Sequence, residues 1–260
     1  MINKSFATFF LGLLTLTLTG CIKQKPTPLV YSNWQIEKKI IKEESKEPSY
    51  LIRAEYPEVV NHASLASTQH LNKLIRTYIA KNIQQFKEVI PQDNSELQDY
   101  PPEMRHNEFH ITYSANLIKP QQHTIVSLRF ETDMVLFAEP QHSHHFAVLN
   151  YDLSRDEILT LDSLFKPEST YLPLLAKACQ QQLTDRLSDG MLWMPWNREG
   201  SKPYPENFKI WNLEEKGLLI TYQEDQVNPY SAVPQTILIP YASLRSVLSE
   251  TSPVTVYAYR

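Results

Sequence analysis

Glycine is almost missing from this 260-residue chain, which has five, at positions 12, 20, 190, 200 and 217. A phosphate-cradling loop needs several glycines close together to turn main-chain N–H groups toward an anion. Spacings this wide exclude one. Cysteine is scarcer still, with only Cys21 and Cys179. No Gly-x-Ser-x-Gly is present, so the strained turn that exposes a hydrolase serine has no candidate. Charge of one sign is lacking too. Lys and Arg total 25 against 29 acids, a net charge of −4. A mildly acidic chain offers no electrostatic case for nucleic acid, which is held through clustered Lys and Arg. Long apolar runs are limited to Phe6–Leu18. That run is too short to cross a hydrocarbon core as a helix, which takes about 20 residues. What is abundant is tyrosine, at 14, and proline, at 18. The aromatics imply a real core, and proline does the punctuating that glycine does not.

The first twenty residues have the parts of an export signal: a positive Lys4, the apolar Phe6–Leu18, then small residues. Leu18-Thr19-Gly20-Cys21 resembles the bacterial lipoprotein signal. The resemblance implies cleavage before Cys21, diacylglycerol on its sulfur and acylation of the new amine. Two or more chains anchor stably where one does not, so the expected partner is a membrane, held through lipid. Residue 22 is Ile rather than Asp. By resemblance to the Gram-negative sorting pattern this implies the outer membrane, with the protein facing the periplasm. Removal of residues 1–20 takes one lysine and no acid, so the expected mature charge is one unit more negative than that of the full chain. With Cys21 lipidated, Cys179 has no disulfide partner. It shares an apolar helical stripe with Leu174, Leu175, Ala178 and Leu183, which predicts a buried, inert thiol.

Residues 21–29 carry two lysines and two prolines and read as an extended tether. Residues 30–41 and Tyr50–Tyr56 alternate as strands, with a charge-rich turn at Lys38–Lys46 and Pro57 as a stop. Leu65, Leu71, Leu74, Ile75, Tyr78, Ile79, Ile83 and Phe86 make one helical stripe over 61–90, with Ser67 or Thr68 as N-cap. Phe109–Ile118 and Thr124–Phe137 read as a hairpin, and His145–Leu153 as the next strand. A second long helix is predicted at Ser169–Leu187. Strands follow at 207–212, 218–223, 236–239 and 254–259, with a short helix at Tyr241–Ser249. Strands on short turns with two long amphipathic helices predict an α+β fold with a mainly antiparallel sheet.

Two groups of side chains invite chemistry. His142, His144 and His145 form the one titratable cluster; His142 and His144 share a strand face and His145 points away. Two imidazoles are the start of a zinc or copper site, whose third ligand would come from His106, His110 or Asp133. The bland reading, a polar turn with solvated histidines and no metal, is the expected one, and no cofactor is expected. Glu108 and Asp133 are placed to face each other across the hairpin. The second group is aromatic. Trp193, Trp196, Tyr204 and Trp211 cluster around a loop with Arg198 and Lys202. Aromatic faces stack on sugars and anchor interfaces, and the cations would meet carboxylates. Trp193, Trp196, Arg198 and Tyr204 are the candidate ligand-binding residues, against the alternative of a loop folded on its own rings. No catalytic residue is assigned.

One further resemblance rests on an ordered series of pieces. Asn150-Tyr151-Asp152-Leu153 is followed by Leu159-Thr160-Leu161-Asp162-Ser163-Leu164-Phe165 and an amphipathic helix. Phe208-Lys209-Ile210, Gly217-Leu218-Leu219-Ile220 and Tyr222-Gln223 come next. Val227-Asn228-Pro229-Tyr230 and Ile239-Pro240-Tyr241-Ala242-Ser243-Leu244 complete it. The order resembles the C-terminal domain of unknown function of RsiV, a lysozyme-sensing anti-sigma factor; the same domain accompanies some peptidoglycan deacetylases. The resemblance implies a two-part extracellular architecture, with residues 30–136 as the upstream partner domain and 137–260 as the RsiV-like domain. The sigma-binding segment and the deacetylase's Asp and His metal motifs have no counterpart here. What the resemblance implies is therefore a non-enzymatic lipoprotein that binds or senses a cell-envelope ligand, peptidoglycan or a lysozyme-like protein. An accessory or assembly lipoprotein that grips a protein partner is the alternative, and a wall-acting enzyme a further one.

Overall fold

The computed structural model of the chain describes residues 34–61, 66–90, 100–101, 107–137, 143–187, 198–227 and 233–260. The expected lipobox with Cys21, the expected tether at 21–29, His106, His142, Trp193, Trp196 and residues 228–230 lie outside these residues. Asn33–Arg260 forms one compact unit. No helix among the described residues is long and apolar enough to cross a membrane.

The fold is α+β. Strands β1 (Gln35–Lys46), β2 (Ser49–Val60), β3 (Asn107–Ile118), β4 (Ile125–Val135), β5 (Ser143–Asp152) and β6 (Glu157–Ile158) form a six-stranded sheet in that order. Strands β7 (Trp211–Leu213), β8 (Gly217–Tyr222) and β9 (Gln235–Pro240) form a three-stranded sheet. Helix α1 (Ala66–Val89) joins β2 to β3, and α2 (Tyr171–Leu187) follows β6. Every ladder is antiparallel except β2–β3. A helical crossover returns the chain in its original direction, so β3 runs parallel to β2.

The predicted helices, the β3–β4 hairpin and β5 are all present. Leu71, Ile75, Ile79 and Phe86 of α1 are buried against Ile52, Ala54, Phe109, Leu128 and Phe130. Burial of each such side chain contributes about 1.5–3 kcal/mol, and this face rather than intrinsic propensity holds the helix. Phe86 stacks on Phe109 at 5.0 Å and Tyr78 tilts over Phe130 at 4.8 Å. Asn72 pins the helix to the sheet: Val59 N–H donates to its Oδ1 at 2.9 Å, and its Nδ2 donates to the Val59 carbonyl at 2.8 Å. On the other side, α2 covers β8 and β9. Its Leu175, Cys179 and Leu183 meet Leu218, Ile220, Tyr222, Ile237 and Ile239.

Five expectations need correction. Lys38–Lys46 is strand, not turn. Its charges reach across the ladder, Lys38 to Glu55 at 3.2 Å and Lys39 to Glu58 at 3.1 Å, on a solvated edge that tolerates them. Pro57 does not end β2, because β3 pairs only with Tyr50–Ala54 and no ladder bond is lost on that flank. Ser67 and Thr68 lie inside the first turn of α1, buried, rather than at its cap. Residues 207–212 divide into a 3-10 turn, Pro205–Phe208, and β7. Thr255–Tyr259 is a 3-10 turn rather than a strand, since Val254, Tyr257 and Ala258 are the buried set.

The apolar packing forms two clusters: one beneath α1 that runs from Ile52 to Leu153, and one beneath α2 that runs from Leu159 to Ala258 and also takes in Ile118 and Ile125. β5 is laddered to β4 along its whole length.

Cys179 is fully buried on the inner face of α2, and that burial pushes its thiol up to about 12, with the Tyr222 hydroxyl opposing. The thiolate is the nucleophile. An alkylating reagent near neutral pH is expected to leave Cys179 untouched in the native protein and to label it in denaturant. Native labelling at the denatured rate would show that α2 opens readily.

Candidate functional site

The site is built along β4, where the two sheets meet. Alternate residues of a strand face opposite ways. Val126, Leu128 and Phe130 join the core under α1. Ile125, Ser127, Arg129, Glu131 and Asp133 take the other face, toward the three-stranded sheet, and make a seam that grades from dry to wet.

At the dry end Ser127 Oγ accepts from Asn212 Nδ2 and from the Leu213 N–H, both at 2.9 Å, and donates to Asn150 Oδ1 at 2.6 Å. Asn150 Nδ2 donates to the Trp211 carbonyl at 3.0 Å. These groups are buried, so each bond also satisfies a polar atom that water cannot reach. One step along, Arg129 Nη1 donates to Thr221 Oγ1 at 2.9 Å while its guanidinium lies 5.3 Å from the Phe146 ring centroid.

At the wet end stands His144, opposite Asp133 in the ladder and diagonal to Glu131. Its Nε2 lies 3.0 Å from Glu131 Oε1 and 3.8 Å from Asp133 Oδ1. Its Nδ1 lies 3.1 Å from Glu224 Oε1, contributed by the turn after β8. Ligand atoms of Glu131, Asp133 and His144 fall within 4.8 Å of one another. So the described histidine of the predicted pair is placed as expected, and Asp133 is the neighbour it meets. His110 also faces Asp133 across the ladder but turns its Nε2 to Glu108 Oε2, at 3.2 Å. Glu108 pairs with Val135, not with Asp133, so the expected carboxylate pair across the hairpin is not formed. His145 points away, to Ser143 Oγ at 2.6 Å.

The opposite end of the seam opens into a cleft of about 620 Å³. It is lined by Ala115–Ile118 of β3, Lys119, the β7–β8 turn Glu214–Lys216, Tyr257 and Arg260. Asn116 Nδ2 donates to the Leu213 carbonyl at 3.3 Å, and the Tyr241 hydroxyl donates to the Glu214 carbonyl at 2.9 Å. These bonds fix the turn. Tyr257 stacks on Tyr241, ring centroids 5.7 Å apart, and Arg260 lies over Tyr257 at 4.6 Å. Burial holds the Tyr257 hydroxyl above the ordinary tyrosine range; Glu215 adds to this, and Arg260 and the Lys119 main chain oppose it. Three cations and two acids around a ring suit a polar ligand that carries carboxylates.

Of the aromatic-loop residues, Tyr204 is 56% exposed and Arg198 is exposed. Gln226 Nε2 donates to the Gly200 carbonyl at 3.0 Å and to the Asn207 carbonyl at 3.3 Å, which holds this segment in place. Trp211 does not belong to that surface: it is a buried residue of β7. Sequence reasoning missed Glu131, Glu224, Lys119, Lys216, Tyr257 and Arg260. The acids at 131 and 133, two apart beside a histidine strand, carried a local signal. The rest carried none.

Residues 162–242 match the profile of DUF3298, described as a protein of unknown function. One curated relative is the peptidoglycan-N-acetylmuramic acid deacetylase PdaC of Bacillus subtilis (strain 168), 24% identical over 191 residues. That alignment takes in 70% of this chain but only 37% of the relative, so the chain spans well under half of that protein's length. Two solved structures share the fold. A DUF3298 family member from Bacteroides fragilis NCTC 9343 aligns over 88% of this chain and 97% of its own, at 13% identity and TM-score 0.62. A DUF3298 family protein from Pseudomonas aeruginosa PAO1 aligns over 84% and 94%, at 12% identity and TM-score 0.54. A DUF3298 domain is therefore present in this chain, at residues 162–242, where it supplies the three-stranded sheet and the helix that covers it.

Proposed function

We propose that this protein is a cell-envelope lipoprotein, anchored through Cys21, whose DUF3298-bearing domain binds a wall ligand. The observation that carries the reading is the similarity to a peptidoglycan-N-acetylmuramic acid deacetylase over 70% of the chain. The cleft at the end of the inter-sheet seam supports it. Wall peptides carry carboxylates, which Lys119, Lys216 and Arg260 can meet. On this reading the domain acts as a receptor, in the manner of the RsiV extracellular half, with peptidoglycan or a lysozyme-like protein as ligand.

The full chain in mild detergent is expected to co-sediment with purified sacculi. Replacing both Lys216 and Arg260 by alanine is expected to weaken that binding about tenfold, or about 1.4 kcal/mol. No pelleting, with a complex formed on added lysozyme, would make the ligand a protein. Failure with both probes would sink the reading. The anchor is tested apart from the ligand. Cys21→Ser is expected to move the protein from the detergent phase to the aqueous phase in phase partition, because the acyl chains supply the membrane affinity. An unchanged distribution would exclude lipidation at Cys21.

A further inference from the structure

We propose that His144, Glu131 and Asp133 form a binding site for a divalent transition-metal cation of the zinc type, with Glu224 as the carboxylate that orients the histidine.

The argument begins with the donor count of the ring. His144 has a carboxylate oxygen at each nitrogen, 3.0 Å at Nε2 and 3.1 Å at Nδ1. A neutral imidazole has one N–H, and an ionised carboxylate only accepts. One of the two contacts therefore sets a nitrogen lone pair against a carboxylate oxygen unless a positive charge lies between them. At Nδ1 there is a single carboxylate, Glu224, well placed to accept a hydrogen bond. At Nε2 there are two, Glu131 and Asp133, on the same side of the ring. A cation on the Nε2 side would take that lone pair together with the two acids, and would leave Nδ1–H to donate to Glu224. That is how metal-bound histidines are held: the outer nitrogen bonds a carboxylate, which fixes the tautomer and makes the inner nitrogen a better ligand.

Distances and charge agree with this. Ligand bonds of about 2.0–2.1 Å in a tetrahedral site put neighbouring ligand atoms roughly 3.3 Å apart. The Nε2 distances here, 3.0 and 3.8 Å, bracket that separation. Three acids surround one ring, and Arg129, two residues before Glu131 on this face of β4, is engaged with Thr221 and Phe146. The excess negative charge calls for a dication. One nitrogen with two carboxylate oxygens suits zinc or a neighbouring first-row metal rather than magnesium or calcium, which take oxygen alone. Three protein ligands leave a fourth position open to water or to a ligand group.

The ligands are also preorganised. Glu131 and Asp133 are two residues apart on β4 and so share a face, and His144 lies opposite Asp133 on the next strand. His144 is only 12% exposed in its side chain, so its ring is held rather than swinging free.

The test is calorimetric titration of the full chain, stripped with chelator, with zinc chloride near neutral pH. One ion per chain is expected, with a dissociation constant in the micromolar range or tighter. His144→Ala is expected to weaken binding at least about 100-fold. Glu224→Gln, which touches no metal, is expected to weaken it about 10- to 100-fold with unchanged stoichiometry. His145→Ala, on the opposite face, is expected to bind as the parent does. Should His144→Ala fold poorly, Asp133→Asn keeps the shape of an exposed residue and is expected to lose about tenfold. Saturable binding that the His144 or Asp133 variant weakens by these factors establishes the site. No binding by the parent, or equal binding by these variants, overturns it.

Discussion

Ser127→Ala is expected to cost about 3 kcal/mol or more, since it orphans three buried groups at once. Asn150 Oδ1 loses its donor, and Asn212 Nδ2 and the Leu213 N–H lose their acceptor. A buried donor or acceptor left unpaired costs about 1–3 kcal/mol. The removed hydroxyl is too small for its space to admit a water that could replace all three bonds. Against a typical total stability of about 5–15 kcal/mol, this is a large fraction. For a chain of this size it corresponds to a fall in Tm of roughly 6–12 °C. Ser243→Ala is the control: its hydroxyl donates to the Pro240 carbonyl in an exposed turn, and a change within about 0.5 kcal/mol is expected. Thermal melts of both variants decide the matter. A Ser127→Ala loss no greater than the control would mean that apolar contact, not this network, joins the two sheets.

Gly217→Ala should be nearly as damaging, for a steric reason. A Cβ at Gly217 would lie 2.3 Å from the Ile239 carbonyl oxygen and 2.9 Å from its carbon. Gly217 pairs with Pro240 where β8 meets β9, so the obstacle is main chain that other ladder bonds hold in place. Both strands are buried beneath α2 and cannot separate without loss of the packing among Leu218, Ile239 and Tyr241. Overpacking of this kind costs about 1–3 kcal/mol, occasionally more, and the upper end is expected here. Valine at 217 should prevent folding. Gly200 has a closer approach still, 1.8 Å to the Gln226 carbonyl oxygen. That carbonyl belongs to Gln226, whose own Nε2 holds the Gly200 carbonyl at 3.0 Å, so Gly200→Ala is expected to cost at least as much as Gly217→Ala. Denaturant melts that rank the two the other way would show that the 198–208 segment can shift.

These two positions illustrate how much could be read before the fold was known. Scarcity of glycine was visible, but which of the three beyond residue 20 had no room for a side chain was not, because the obstructing atoms lie at Gln226 for Gly200 and on β9 for Gly217. Period alone located α1, α2 and the β3–β4 hairpin, since each is a long segment with one wet and one dry side. It misplaced Lys38–Lys46, whose partners Glu55 and Glu58 are supplied by the next strand. It misread 254–259 as well. The residues alternate like a strand, yet none of the described strands pairs with them, and Val254, Tyr257 and Ala258 go inward together.

The site divides in the same way. His144 could be named from its local cluster, and Asp133 as one of its partners. Glu224 is 80 residues further on and has no local pattern to mark it. The cleft brings Asn116 to Leu213, 97 residues apart, and could not have been composed from either stretch alone.

By itself the sequence determined the α+β class, the two amphipathic helices and the buried Cys179. All of these depend on residue type and short-range spacing, which the chain carries locally. The tertiary structure alone decided that β4 pairs with β5 as well as β3, that β4 serves two layers, and that His144 is ringed by three acids, two from β4 and one from the turn after β8. Those follow from the pairing of distant strands, where the deciding contacts are long-range and leave no trace in any one segment.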